Sequence, residues 1–349
     1  MTGLCPTTAV REGQGRPSRT RPPLHDRWHH RRWHHRLHDR LRGWARRWVM
    51  AGVTSGVLLS SGPVMSHMGD ARVLQGTTTA FTQHSSTTGH DYLIQVALPQ
   101  VAPPEGGYPV LLVLDGNRHL DLFTAARDIL GRRGFDKAPS DLAIVAVGYA
   151  GATDGQAKAA RHIVTKQRFK DFTPPLTTGT APEGTGGGED FLAYLTQALP
   201  PELASRYPLD LKRPALIGHS LGGLFALHAQ QKAPEAFGAI FAISPSLWWL
   251  QENAPANWPL RLACSEAAGP VYIAAGGREQ SPQPQRNDPE RDRLRVQRAM
   301  IDNARDHARQ LGERCPQIEV QWKLYEGEDH GSVMWPAARA VMERLVRPR

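Results

Sequence analysis

Arg213-Pro214-Ala215-Leu216-Ile217-Gly218-His219-Ser220-Leu221-Gly222-Gly223 reads as the end of a buried strand, a tight turn and the start of a helix. The apolar run Ala215–Ile217 enters the pattern G-x-S-x-G at Gly218, Ser220 and Gly222. Leu221, Leu224, Phe225 and Leu227 then recur at helical spacing. In that strand–turn–helix setting the serine stands at the tip of a sharp, strained turn, where close backbone approach leaves no room for side chains at Gly218 and Gly222. The helix behind it presents unpaired N–H groups, which suit a developing negative charge. The plain alternative is a Gly-rich turn with an incidental serine. The junction and the residues downstream favour a nucleophile.

The chain around this turn alternates strands and helices. Segments 73–82 and 91–98 read as strands, the second alternating Tyr92, Ile94, Val96 and Leu98. The continuous apolar run 109–114 predicts a strand covered on both faces and ends in Asp115-Gly116-Asn117. A helix over 120–130 and a buried strand over 142–147 follow. Further strands are expected at 239–243, 271–275 and 318–325, and helices at 189–199, 292–311 and 333–346. Strands alternating with helices predict an α/β fold with a mostly parallel sheet and helices on both faces. Segment 161–190 stands apart as a long polar loop. Its first half is expected to wall the site and its Thr- and Gly-rich second half, 177–188, to be mobile.

The net charge of +9 over 349 residues is unevenly placed. Residues 1–70 hold twelve arginines, no lysine and four acidic residues, a net +8, and the remainder is near neutral at +1. The folded part therefore has no claim to a nucleic-acid face, and no nucleic-acid partner is expected. Segment 1–47, rich in Arg and His, cannot bury a core and is expected to be disordered, or to stem from a start codon placed too far upstream. Arg46-Arg47 followed by the short apolar stretch 48–59 follows signal-peptide grammar, with a weak twin-arginine character and no clear cleavage site. Segment 48–70 is thus read as a signal peptide or an uncleaved N-terminal anchor, the only expected membrane contact, and 71–349 as the catalytic domain. An exported, periplasmic protein is the expectation, a cytoplasmic one the alternative. Cys5, Cys264 and Cys315 match no zinc spacing. Cys264 and Cys315 precede two strands expected to be neighbours, so a disulfide between them and a pair of free thiols are both open.

A serine hydroxyl needs a base to take its proton, and the base needs an orienting acid. Ser220, Glu279 and His330 each follow an expected strand, so all three should meet at one edge of the sheet. His219, His228, His84, His90, His119, His162 and His307 are placed less well for the base. Asp288, Asp329 and Glu326 compete with Glu279 for the acid, and a Ser–His dyad remains open. The oxyanion is expected to rest on the backbone N–H groups of Leu221, after the nucleophile, and Asn117, after the third strand. The adjacent Trp248 and Trp249, at a strand end, are read as pocket-lining, with core capping as the alternative.

With these motifs the chain resembles the esterase D family of α/β-hydrolases, and within it the siderophore esterases. The resemblance rests on Leu114-Asp115-Gly116-Asn117, Arg168-Phe169-Lys170-Asp171-Phe172-Thr173-Pro174-Pro175, Gly187-Gly188-Glu189-Asp190-Phe191-Leu192, Gly218-His219-Ser220-Leu221-Gly222-Gly223, Ile243-Ser244-Pro245-Ser246-Leu247-Trp248-Trp249 and His330-Gly331-Ser332-Val333. It covers about residues 72–349 and implies the α/β-hydrolase fold and a serine esterase with neither metal nor cofactor. Siderophore trilactones lead the substrates it implies. Short-acyl or feruloyl esters, acyl transfer, and a non-catalytic siderophore- or sugar-binding role are the alternatives. A ferric catecholate siderophore is anionic, so basic site residues are expected, and Arg168, Lys170 and Arg278 are the candidates.

Overall fold

A computed structural model describes residues 78–346, apart from 133–138, 152–157, 177–181, 254–261, 263 and 284–286. The expectations for segments 1–47 and 48–70, and for the mobility of 177–181, lie outside the described residues.

Eight strands form one sheet: β1 (Thr78–Ser85), β2 (His90–Ala97), β3 (Tyr108–Leu114), β4 (Ala143–Tyr149), β5 (Leu209–His219), β6 (Ala239–Ile243), β7 (Val271–Gly276) and β8 (Val320–Tyr325). Their order is β1-β2-β4-β3-β5-β6-β7-β8. β1 and β2 pair antiparallel, as do β2 and β4, and every other neighbouring pair is parallel.

The apolar runs divide their side chains between the two faces, as a period of two requires. Val110, Leu112 and Leu114 of β3, with Ile240 and Ala242 of β6, enter one core. Leu111, Val113, Phe241 and Ile243 enter the other. The first core is closed by α5 (Leu221–Lys232), α8 (Met300–Arg314) and the segment running from α3 (Gly188–Ala193) through a π turn into α4 (Leu199–Arg206). The second is closed by α1 (Gly116–Leu130) and α9 (Met334–Leu345). Among the described residues no helix is long and apolar enough to cross a membrane.

Two elements differ from the sequence reading. Residues 161–172, expected in a loop, belong to helix α2 (Lys158–Phe172). Its docking side mixes Val164, Phe169 and Phe172 with Arg168 and Asp171, and the charged residues interrupt the apolar stripe that would have announced the helix. Asp171, fully buried, accepts from the hydroxyls of Tyr92 (2.7 Å) and Tyr149 (3.0 Å), and Phe172 packs against Phe191 and Phe225. The single helix expected over 292–311 is two, α7 (Pro289–Arg298) and α8, broken at Ala299, whose φ of 44° is left-handed. Alanine gives no sequence warning of such a break.

Cys264 and Cys315 form a disulfide, with Cα atoms 4.9 Å apart, tying the approach to β7 to the end of α8.

Candidate active site

Ser220 stands between β5 and α5 with φ 62° and ψ −120°, a conformation that non-glycine residues seldom adopt. Of the two glycines expected to be sterically required, only Gly218 is: a Cβ on Gly222 would meet nothing closer than 3.5 Å, and the second tight position is Gly223, whose Cβ would lie 2.9 Å from Ile243 O. A Cβ on Gly218 would lie 2.0 Å from the carbonyl oxygen of Gly222. The turn is anchored to β6: Ser220 N–H donates to Ile243 O (2.9 Å), and Ser246 N–H donates to Ser220 O (3.0 Å).

From this tip the Ser220 Oγ lies 3.0 Å from His330 Nε2. His330 Nδ1 lies 2.6 Å from Glu279 Oε2. With a proton on Nδ1 the ring donates to the carboxylate and leaves Nε2 free to accept from the serine. Glu279 is almost fully buried. Its other oxygen accepts from Gly276 N–H (2.6 Å) and Ser244 Oγ (2.5 Å). Three donors hold this buried carboxylate in place.

The loops carrying the two partners are stitched together beyond the sheet. Gly277 N–H donates to Tyr325 O, and Arg278 N–H to Glu328 O. None of the competing acids bonds to His330 among the described residues. Asp329 Oδ1 accepts from the N–H groups of Gly331 and Ser332 and so shapes the histidine loop. Asp288 caps α7 by accepting from Arg291 N–H, and Glu326 is exposed.

His219, next to the nucleophile, packs its ring on His330 with centroids 4.6 Å apart. Burial pushes its pKa well below the usual histidine value, with His330, His119 and Arg168 adding to the shift. α5 and α1 follow the neighbouring parallel strands β5 and β3 and pack on opposite faces of the sheet, which puts Leu221 and Asn117 near the starts of helices that leave adjacent strand ends. A Cβ on Gly222 would meet Asp115 Oδ2 and Leu114 Cβ at 3.7 Å, so the two turns are in contact. The Asn117 amide is locked onto β4, with Oδ1 accepting from Tyr149 N–H (2.8 Å) and Nδ2 donating to Tyr149 O (3.3 Å).

Ser220 and His330 open into a cavity of about 490 Å³. Trp248, Ser246, Leu294 and three arginines, Arg291, Arg295 and Arg298, contribute to its lining. The residues expected to bind substrate divide. Trp248 lines the cavity, but Trp249 is buried in the core. Arg168 is engaged by Asp115, donating Nε (2.7 Å) and Nη2 (2.8 Å) to its carboxylate, and Nη2 also reaches His219 O. It braces the β3–α1 turn against the nucleophile turn and lies outside the cavity lining. Lys170 donates to Thr88 O, and Arg278 is exposed, and neither is part of the lining. Nor does the segment before 177 wall the cavity.

Sequence reasoning passed over Arg291, Arg295 and Arg298. Their i, i+4, i+7 spacing was legible, but Arg291 fell just before the single helix expected over 292–311 and the other two within it. Ser244 and Ser246 stood in a quoted motif without a role. Ser246 Oγ lies 3.2 Å from Ser220 Oγ.

A mostly parallel sheet with a strained serine turn, and a histidine and a carboxylate delivered after the last two strands, defines an α/β-hydrolase with a serine–histidine–glutamate site. A family model described as "Putative esterase" matches residues 85–325. The chain belongs to this family and is a carboxylic ester hydrolase. It is 35% identical to the siderophore triacetylfusarinine C esterase of Aspergillus fumigatus over 70% of this chain and 85% of that protein. It is 30% identical to the ferri-bacillibactin esterase of Bacillus subtilis over 74% of this chain and 89% of that one. Among solved structures, the siderophore hydrolase EstB from Aspergillus nidulans superposes with a TM-score of 0.64 at 29% identity, covering 78% of this chain and 97% of that chain.

Proposed function

We propose that the chain hydrolyses siderophore esters through an acyl-enzyme on Ser220. The observation that carries the mechanism is the line from Ser220 Oγ to His330 (3.0 Å) and from His330 to Glu279 (2.6 Å). Ser220 Oγ attacks the ester carbonyl as His330 Nε2 takes its proton. Glu279 holds the tautomer and steadies the imidazolium. The N–H groups of Leu221 and Asn117 hold the oxyanion, each such donor being worth about 10²–10³ in rate. His330 returns the proton to the leaving alkoxide. Water then attacks the acyl-serine by the same steps in reverse and frees the acid and the serine.

Support for the siderophore class comes from relatives named for siderophore esters at 30–35% identity. The cavity, lined by a tryptophan and three arginines, fits a large, partly anionic, aromatic substrate better than a short aliphatic ester. Export is part of the proposal, supported by the Cys264–Cys315 disulfide and by the basic-then-apolar order of residues 46–59.

The test uses the full chain, wild type beside Ser220→Ala, with enterobactin and p-nitrophenyl acetate and with products read by mass spectrometry. Serine-dependent opening of the trilactone is expected, together with fluorophosphonate labelling of Ser220. Cleavage of the simple ester alone would discard the siderophore substrate, and absence of labelling would discard the nucleophile.

A further inference from the structure

Besides the nucleophile, the described lining of the cavity holds one other hydroxyl, that of Ser246. It is almost fully buried and has no part in the line from Ser220 to Glu279. β5 and β6 run parallel with His219 beside Ile243, so the turn after β6 lies against the nucleophile turn. Gly223 permits the approach, since a Cβ there would lie 3.0 Å from Pro245 Cα. Backbone groups join the two turns: Ser220 N–H donates to Ile243 O, and Ser246 N–H to Ser220 O. Ser246 O in turn accepts from Trp249 N–H (3.1 Å), in the short helix Trp248–Asn253. The main chain thus fixes Ser246 whatever its side chain, and the turn does not need the hydroxyl.

What the hydroxyl does reach is the nucleophile, with Ser246 Oγ 3.2 Å from Ser220 Oγ. The protons on these groups set the direction of the bond. Glu279 takes the Nδ1 proton of His330, so Nε2 is an acceptor and the single proton of Ser220 points to it. Toward Ser246, Ser220 Oγ is therefore the acceptor and Ser246 the donor. Among the described residues this is the one hydrogen bond the Ser246 hydroxyl makes.

We propose that Ser246 is a further catalytic residue, whose hydroxyl donates to Ser220 Oγ as the acyl-enzyme breaks down. The acceptor changes character during turnover. As an alcohol or a developing alkoxide, Oγ accepts well. As the alkoxy oxygen of the acyl-serine ester its lone pair is drawn toward the carbonyl, and it accepts poorly. A donor fixed beside it stabilises the free serine and both tetrahedral transition states more than the acyl-enzyme between them. In acylation the gain nearly cancels, because the free serine enjoys it too. In deacylation it is realised in full. There water adds to the acyl carbon and gives a proton to His330 Nε2. The bond from carbon to Oγ then breaks, its electron pair stays on Oγ, and His330 returns the proton to it. Ser246 keeps its own proton throughout and shares it with Oγ while charge builds there. The inference rests on the acyl-enzyme reading of Ser220 and not on the siderophore substrate.

The test follows both half-reactions of the full chain with p-nitrophenyl trimethylacetate, whose crowded acyl carbonyl is slow to take up water. Nitrophenol release in the burst reads acylation, and the steady rate reads deacylation. Mass spectrometry of quenched enzyme reads acylated Ser220. Ser246→Ala should slow deacylation about tenfold or more, the size expected of a hydrogen bond to a charged oxygen. Its burst rate should stay within about threefold of wild type, with kcat and KM falling together and kcat/KM nearly unchanged. Ser246→Thr keeps the hydroxyl and should recover most of the deacylation rate. A burst rate and a steady rate that fall equally in Ser246→Ala overturn the proposal, as do two unchanged rates. A loss in Ser246→Thr as large as in Ser246→Ala would assign the effect to packing and overturn it too. Failure of the acyl-enzyme reading itself looks different: wild type would show no burst and no acylated Ser220.

Discussion

On one side of the cavity stand Ser220, Glu279 and His330, held by strand ends and by backbone hydrogen bonds. On the other stands α7, a helix with no buried residue that projects three arginines. The first side is over-determined. Ser220 keeps a strained φ because its backbone is bonded to β6 and to Ser246 while Gly218 and Gly223 allow the close approach of the chain around it, and Glu279 is gripped by three donors. The second side is held at its surface, by the Asp288 cap, by Asp292, by Arg298 over Trp248 and by Asn303 donating to Arg298 O, and buries no residue of its own. The groups placed for chemistry are built into the sheet, whereas the far wall of the cavity is carried on a solvated helix.

Substitutions should respect that division. Ser220→Ala should have the largest effect, lowering kcat by about 10⁴-fold or more in a stopped ester assay while leaving the melting temperature within a few degrees. A residual rate above one hundredth of wild type would mean that another hydroxyl, Ser246 first, can replace it. Glu279→Gln keeps the size of the side chain and removes its charge. A fall in kcat of about 10²–10⁴-fold is expected, because the amide can present its N–H₂ to Nδ1 and favour the wrong tautomer. Unchanged kcat would reduce the site to a Ser–His dyad.

Opening the disulfide should touch stability and spare chemistry. Cys264→Ser/Cys315→Ser releases a constraint of 51 residues and should lower unfolding free energy by up to about 4 kcal/mol, read by denaturant titration, with kcat little changed. The smallest effect is expected from acid. Burial holds His228 and His307 at pKa values of about 4, below the ordinary value of 6.5. In the window between about 6.5 and 4 the unfolded chain therefore binds more protons than the folded one. The stability present above pH 6.5 is lost as pH falls through that window. The melting temperature should drop between pH 7.5 and 5, and His307→Gln should reduce the drop.

The parts legible in the sequence were those whose causes are local. The run 109–114 announced a two-sided strand, and G-x-S-x-G between a strand and a helix announced the turn. Arg168 shows where that reading stopped. As a positive charge in a family motif it was taken for a substrate contact, yet a bidentate partner 53 residues away, Asp115, makes it a brace. Trp248 and Trp249 diverge because neighbouring side chains on a short helix point apart, one to the cavity and one to the core. Helix α2 went unread because the charged Arg168 and Asp171 share its docking side with Val164, Phe169 and Phe172 and break the apolar periodicity.

Amino-acid order alone determined the nucleophile turn, the alternation that makes a parallel sheet, and the chain order Ser220, Glu279, His330. Steric limits and apolar periodicity act over a few residues, and these features need nothing more. Only the tertiary structure decided that Glu279 faces His330 while Asp329 and Asp288 tie down their own loops. It alone brought Cys264 to Cys315 and turned the arginines of α7 toward the serine. Which atom meets which across fifty or more residues depends on how loops of fixed length cross the ends of neighbouring strands, and a side chain's role follows from the partner it meets there.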